Sequence, residues 1–251
     1  MHVSFVGAGP GDPELITVKG QRLLGEADVI IYAGSLVNPA LLSLAKQGAS
    51  IYNSASMTLD QVIEVMEKAT ERGQKTVRLH TGDPSIYGAI QEQMDALDKK
   101  DISYEVIPGV SSFLATAAAL QREYTLPDVS QTVIITRLEG RTPVPEKEKL
   151  ALLASHNATM CIFLSVHMID SVMKELIDGG YQQDTPVAIV QKASWPDQKI
   201  FRGTVSTIGK IVTDAKIDRT AMIVVGRCLD SQYALSRLYA PEFGHMYRDA
   251  K

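Results

Sequence analysis

Three glycine-rich turns each follow an apparent β-strand and open into a helix or a tight turn. They are VGAGPGDP (Val6–Pro13), RLHTGDPSIYG (Arg78–Gly88) and VIPGVSSFLATAAAL (Val106–Leu120). Strands that alternate with helices in this way predict an α/β layer with a mainly parallel sheet. The crevice of such a sheet lies beyond the carboxyl ends of its strands. All three turns fall at those ends, so together they form a cradle for a small charged molecule.

The remaining pattern extends this layer. His2–Val6, Val29–Tyr32, Ala49–Tyr52, Thr76–Leu79 and Tyr104–Ile107 read as buried strands. Thr17–Glu26 reads as a helix. Thr58 reads as the N-cap of another, with Leu59, Val62, Ile63, Met66 and Ala69 at helical spacing and Gly73 ending it. Ser85–Lys99 and Ser111–Leu120 complete the helices of this half. At Thr125–Val129 the turn chemistry of TLPDVS marks a change of character. Strands are then expected at Thr132–Thr136, Met160–Leu164, Val187–Gln191, Ile200–Thr204 and Ala221–Gly226. Helices are expected at Lys147–His156, Ile169–Asp178 and Ile208–Ala215. The expected organisation is an N-terminal α/β domain over 1–122, a C-terminal α/β domain over 123–230 and a tail over 231–251.

Composition narrows the class. With 45% apolar residues among 251, the chain can bury a sizeable core. A net charge of −4 argues against nucleic-acid or anionic-membrane partners, which need a basic face. No apolar run approaches the roughly 20 residues of a membrane span. The N-terminus lacks a signal-peptide layout, so a cytoplasmic protein is expected. Cys161 and Cys228 sit in apolar runs and read as small buried hydrophobes. His2, His80, His156, His167 and His245 lack partners at metal spacing, so no protein-bound metal is expected.

Taken singly, each turn has a bland reading. GAGPGDP supplies Gly7 and Gly9, but Asp12 stands where a dinucleotide fingerprint needs its third glycine. Asp28 lies near the distance of a ribose-binding acid, so a nicotinamide-dependent oxidoreductase is one alternative. Gly82 lets backbone approach a ligand. Asp83 either accepts from a ligand or merely caps the turn before Pro84. Ser111 and Ser112 open a helix, where hydroxyls and free N–H groups either bind polar ligand atoms or cap the helix. One shared site explains all three turns better than three coincident caps.

GAGPGDPELIT, RLHTGDPSIYG, VIPGVSS and GYQQDTPVAIVQKAS together resemble the tetrapyrrole methylases, from about residue 2 to about 230. The resemblance implies two α/β domains of a non-Rossmann fold, with a cofactor cleft between them that takes S-adenosylmethionine and releases S-adenosylhomocysteine. By the same carry-over, Pro10 lines the cofactor and Thr81, Gly82 and Asp83 meet its ribose and amino-acid parts, with Ile86 packing nearby. Ser111 and Ser112 follow, and Ser165 and Ala193 fall at lining positions. The family commonly forms homodimers.

Ala33, in YAGSLV, stands where the methylases of uroporphyrinogen III carry an aspartate. YAGSLVNP and LPDVSQTVIITRLEGRTPVPEKE instead resemble the branch that methylates cobalamin precursors. The implied substrate is a tetrapyrrole rich in carboxylates. Arg137 and Arg141 are the expected donors to them, since guanidinium matches carboxylate geometry. His80 is a weaker donor candidate. With no acid at Ala33, Tyr32, Ser35 and Tyr87 are weak candidates for assisting proton loss. The competing readings are action at another carbon or on uroporphyrinogen III, the oxidoreductase above, and a non-catalytic binding protein.

Overall fold

A computed structural model describes residues 3–230, 233–236, 240–244 and 246–249, with the side chain of Ser35 left aside. His2, His245 and part of the tail expected after Asp230 lie outside the described residues. Contacts divide the chain into two units. The first is Met1–Ala115 with Lys192–Gln198, and the second is Thr116–Gln191 with Lys199–Lys251.

The first unit is built on β1 (Val3–Gly7), β2 (Val29–Tyr32), β3 (Ser50–Asn53), β4 (Thr76–His80) and β5 (Tyr104–Ile107). Their order is β3-β2-β4-β1-β5, and every pair is parallel. Successive side chains point to opposite faces of a strand. Val3, Phe5, Val29 and Ile31 therefore join one core cluster, with Val62, Ile63 and Met66 of α2 (Leu59–Glu71) and Leu97 of α3 (Gln91–Asp98). Val6, Ile30, Val77 and Leu79 join the other, with Leu24 of α1 (Val18–Glu26) and Leu41. The cap expected at Thr58 is in place, and Thr17 caps α1 as well. Thr17 Oγ1 accepts from Gly20 N at 3.1 Å, and Thr58 with Gln61 closes a reciprocal capping box. Gly7 pairs with His80 and Val6 with Ile107, so the three glycine turns leave the sheet at one level.

One helix is shorter than its periodicity predicts. The expected Ser85–Lys99 helix is α3 alone, starting at Gln91. Tyr87 and Ala89 have left-handed φ of 55° and 49°, and a Cβ on Gly88 would lie 2.0 Å from the Pro84 carbonyl oxygen. The chain thus folds back over Pro84 before the helix begins. The apolar spacing reflects burial of Ile90 and Leu97, not continuous helix.

Helix α4 (Ser112–Leu120) carries the chain into the second unit. That unit contains β6 (Val133–Arg137), β7 (Thr159–Phe163), β8 (Pro186–Gln191), β9 (Lys199–Thr204) and β10 (Ala221–Val225). The order is β6-β7-β10-β8-β9, with only β6 and β7 parallel. Met160, Ile162, Val187, Ile189, Ile223 and Val225 pack with α5 (Leu150–Ala154), α6 (Ile169–Asp178) and α7 (Ile208–Asp214). The helix expected at Lys147–His156 is α5 preceded by a 3₁₀ turn at Glu146–Glu148, and Asn157 turns left-handed behind it. Cys161 and Cys228 are both buried and unbridged. Burial pushes the Cys161 thiol up to about 12, so it behaves as an inert hydrophobe. No helix among the described residues is long and apolar enough to cross a membrane.

Candidate functional site

The three glycine turns are stitched directly to one another. Gly82 N donates to Gly9 O at 2.8 Å, Gly9 N to Gly82 O at 3.3 Å, and Ala8 N to His80 O at 2.7 Å. Asp83 ties the second turn to the third. Its Oδ2 accepts from Gly109 N at 2.9 Å and its Oδ1 from Ser85 N at 2.8 Å. A Cβ on Gly109 would lie 2.2 Å from Gly82 O, and one on Gly7 would lie 2.6 Å from Gly109 Cα. These two glycines therefore exist for backbone-on-backbone packing. Gly82 differs: a Cβ there would meet nothing nearer than Ser111 Cα at 3.5 Å, and its requirement is the left-handed φ of 59°.

Around this knot lie Thr81 and Ile86, both half-buried, and Asp83. Ser111 is buried, and its carbonyl accepts from Leu114 N and Ala115 N as the cap of α4. Its hydroxyl has no hydrogen-bond partner among the described residues. Ser112 is the first residue of α4. Pro10 is buried in the first turn, and Ala193 is buried in the Lys192–Gln198 segment of the same unit. Tyr32 ends β2, and its carbonyl accepts from Ser54 Oγ at 3.1 Å. Tyr87 is exposed on the left-handed turn after Pro84. Ser35 lies in a 3₁₀ turn at Gly34–Leu36, and its side chain lies outside the described residues.

Sequence reasoning missed the side chains that hold the first turn. Trp195 Nε1 donates to Pro10 O at 3.0 Å, Asn38 Nδ2 donates to Gly11 O at 2.7 Å, and Asp12 N donates to Ser194 Oγ at 2.9 Å. The one visible signal was a lone tryptophan within a polar loop, KASWPDQ.

Beneath the second turn lies a buried polar stripe. Thr76, Arg78 and His80 alternate along β4 and share the face of Phe5. Arg78 Nε donates to Gln93 Oε1 at 3.0 Å and its terminal N–H to Ile31 O at 3.2 Å. Burial brings the Arg78 guanidinium down to about 10. His80 is pushed down to about 3 by burial and then by the Arg78 charge, so it is neutral. Its Nε2 is buried without a hydrogen-bond partner.

In the second unit, Arg137 is occupied within its own loop. It donates to the carbonyls of Leu138, Thr142 and Pro143 at 3.3, 3.1 and 2.8 Å. Arg141, on the loop thus held, is exposed and has no partner among the described residues. Ser165 is fully buried. Its hydroxyl donates to Phe163 O at 2.6 Å and accepts from Leu138 N at 2.9 Å. A cavity of about 540 Å³ also lies in this unit, beside His167, Asp170, Lys216 and Asp218, but none of the expected site residues lines it. Among the described residues, no group of three or more His, Cys, Asp or Glu side chains could share a metal ion.

Two observations oppose a dinucleotide site. Asp28 precedes β2, at the opposite end of the sheet from the glycine turns, and is engaged by Lys46 at 2.5 Å and Lys75 N at 2.7 Å. The strand order also places β4 between β1 and β2, where the dinucleotide fold has β1 beside β2.

The model of the tetrapyrrole (corrin/porphyrin) methylases matches residues 2–209. A cobalt-precorrin-4 C(11)-methyltransferase of Methanocaldococcus jannaschii is 62% identical, over 98% of this chain and 95% of that protein. The solved structure of a cobalamin biosynthetic enzyme, cobalt precorrin-4 methyltransferase, is 49% identical. It covers 91% of this chain and 96% of its own, with a TM-score of 0.89. A uroporphyrin-III C-methyltransferase of Thermus thermophilus, solved with S-adenosyl homocysteine, is 26% identical. It covers 92% and 94% of the two chains, with a TM-score of 0.74.

Proposed function

This chain belongs to the tetrapyrrole methylases, and on that premise we propose that it methylates C11 of cobalt-precorrin-4 or its metal-free counterpart, using S-adenosylmethionine. The observation that carries the reading is the three-turn knot around Gly9, Gly82 and Gly109, together with 62% identity to a relative of that name along nearly the whole chain.

The residues present suit the cofactor. S-adenosylmethionine offers ribose hydroxyls and an amino-acid end with both charges. The knot offers the Ser111 hydroxyl (unpartnered among the described residues), the N-terminal amides of α4 and the left-handed backbone at Gly82. Pro10, Thr81, Gly82, Asp83, Ile86, Ser111, Ser112 and Ala193 are the proposed holding set. Asp83 acts mainly by fixing the second and third turns together, since both its oxygens already accept backbone N–H groups. Ser165 holds the start of the loop after β6 to the end of β7.

When bound, the cofactor supplies an electrophilic methyl on a sulfonium. It would pass that methyl to a nucleophilic carbon of the macrocycle, which would lose a proton, and would leave as the neutral thioether. No anionic intermediate needs stabilising, so these residues act by orienting the reactants and excluding water. Arg141 presents an unpaired guanidinium to the carboxylates of the macrocycle. Arg137 fixes the loop that displays it.

The test is transfer of labelled methyl to cobalt-precorrin-4, metal-free precorrin-4 and uroporphyrinogen III, supplied separately. Label at C11 of either precorrin-4 is expected. Transfer to uroporphyrinogen III alone would overturn the substrate reading.

A further inference from the structure

The first glycine turn is held mainly by groups remote in the sequence. One backbone group on each of three consecutive residues, Pro10 O, Gly11 O and Asp12 N, is taken by a side chain from elsewhere: Trp195, Asn38 and Ser194. Two of those side chains come from Lys192–Gln198, more than 180 residues along the chain. This segment leaves β8 at Gln191 and returns in β9 at Lys199, yet its contacts place it in the first unit.

The segment is built to present the indole. Trp195 N donates to Lys192 O and Gln198 N to Trp195 O, both at 3.0 Å. The Gln198 side chain accepts from Ser194 N at 2.8 Å. Lys192 pairs with Asp197 at 2.5 Å and lies 5.7 Å from the Trp195 ring centroid. Lys192 and Ser194 both adopt left-handed φ, 52° and 69°, a conformation that β-carbon sterics disfavour. Such strain persists only where surrounding contacts over-determine it, and it gathers at functional sites. The indole lies flush on the turn. A Cβ on Gly11 would sit 2.0 Å from Trp195 Cδ1. Gly11 shows no left-handed backbone, so the indole, not the conformation, is what requires glycine there.

We propose that Trp195, with Ser194, is a positioning residue: a clamp that fixes the Gly9–Asp12 turn and thereby sets the affinity for S-adenosylmethionine. The inference rests on the proposed cofactor site at Pro10. Neither side chain needs to touch the reacting atoms. The turn is preorganised by bonds at Pro10 O and Asp12 N, and loss of either lets it relax away from the bound geometry.

The test is calorimetric titration of S-adenosylhomocysteine into the full chain and into Trp195→Phe, which keeps a ring but loses the Nε1–H donor. Ser194→Ala, which leaves the indole in place, serves as a second variant should the first fold poorly. The expected result is dissociation constants raised about tenfold for Trp195→Phe and about threefold for Ser194→Ala, the cost of one lost hydrogen bond each. KM for S-adenosylmethionine rises in parallel while kcat at saturating cofactor is unchanged. A merely structural role would lower the melting temperature without this split. Gly11→Ala, which displaces the indole, is expected to match Trp195→Ala, and the double variant to be no worse than either single one. Wild-type affinity in both clamp variants would overturn the inference and leave the cofactor site standing. Failure of the wild-type chain to bind S-adenosylhomocysteine would overturn the cofactor reading, and the clamp with it.

Discussion

The first strand of each sheet is followed by a loop that matters, and the two loops are held in opposite ways. After β1, the turn Gly9–Asp12 is fixed from outside by Gly82, Asn38, Ser194 and Trp195. After β6, the loop 138–143 is fixed from within, chiefly by Arg137 reaching forward to its own carbonyls. The externally held turn has little freedom, as suits a site built from backbone atoms. The self-held loop leaves Arg141 exposed, as suits a charge that must meet a bulky substrate.

The sharpest way to break the first arrangement is Gly109→Ala. Its Cβ would collide with backbone at Gly82 O, which no rotamer change relieves. Destabilisation of about 3 kcal/mol is expected in denaturant titration, because overpacking here must move backbone. Binding of S-adenosylhomocysteine should fall with it. An alanine variant as stable as the wild type would show that the turns are not packed against one another.

The floor under the second turn gives a pH test. His80 is held down at about 3, against an unfolded value near 6.5. Above pH 6.5 it is neutral in both states and contributes nothing to the pH dependence. As pH falls below 6.5 the unfolded chain takes up the proton and the folded chain does not, so stability declines until about pH 3. Between pH 7 and pH 5 the loss attributable to His80 is about 2 kcal/mol. His80→Phe, which can pack beside Phe5, should flatten that part of a melting-temperature profile. An unchanged slope would show His80 already charged.

Asp83→Ala removes an acceptor from both Ser85 N and Gly109 N, at a cost of about 2 kcal/mol, and loosens the knot. Asp83→Asn keeps one carbonyl oxygen and should lose less. Equal losses in the two variants would indicate that the charge, not the stitching, matters.

The smallest effect on stability is expected in the arginine loop, where it separates the two roles. Arg141→Ala should raise KM for the macrocycle about tenfold, as for one lost charge-assisted bond, without moving the melting temperature. Arg137→Ala should lower the melting temperature by a few degrees and raise the same KM, since its three carbonyl contacts go with it. Identical profiles for the two variants would mean that both side chains face substrate.

Much of this was legible along the chain. The strands Val29–Tyr32 and Tyr104–Ile107, the helix Ile169–Asp178 and the cap at Thr58 rest on signals only a few residues long. The placing of all three glycine turns at strand ends was equally local. Periodicity overran where a tight turn intervened, as at Tyr87–Ala89, because apolar spacing reports burial and not backbone direction. Tertiary structure decided the order β3-β2-β4-β1-β5, the glycines that backbone fills, and the seating of Trp195 on Gly11. The physical reason is range. A cap or a strand is settled by neighbours within one or two turns of chain, whereas Trp195 and Pro10 meet across 185 residues, and no local pattern encodes that contact.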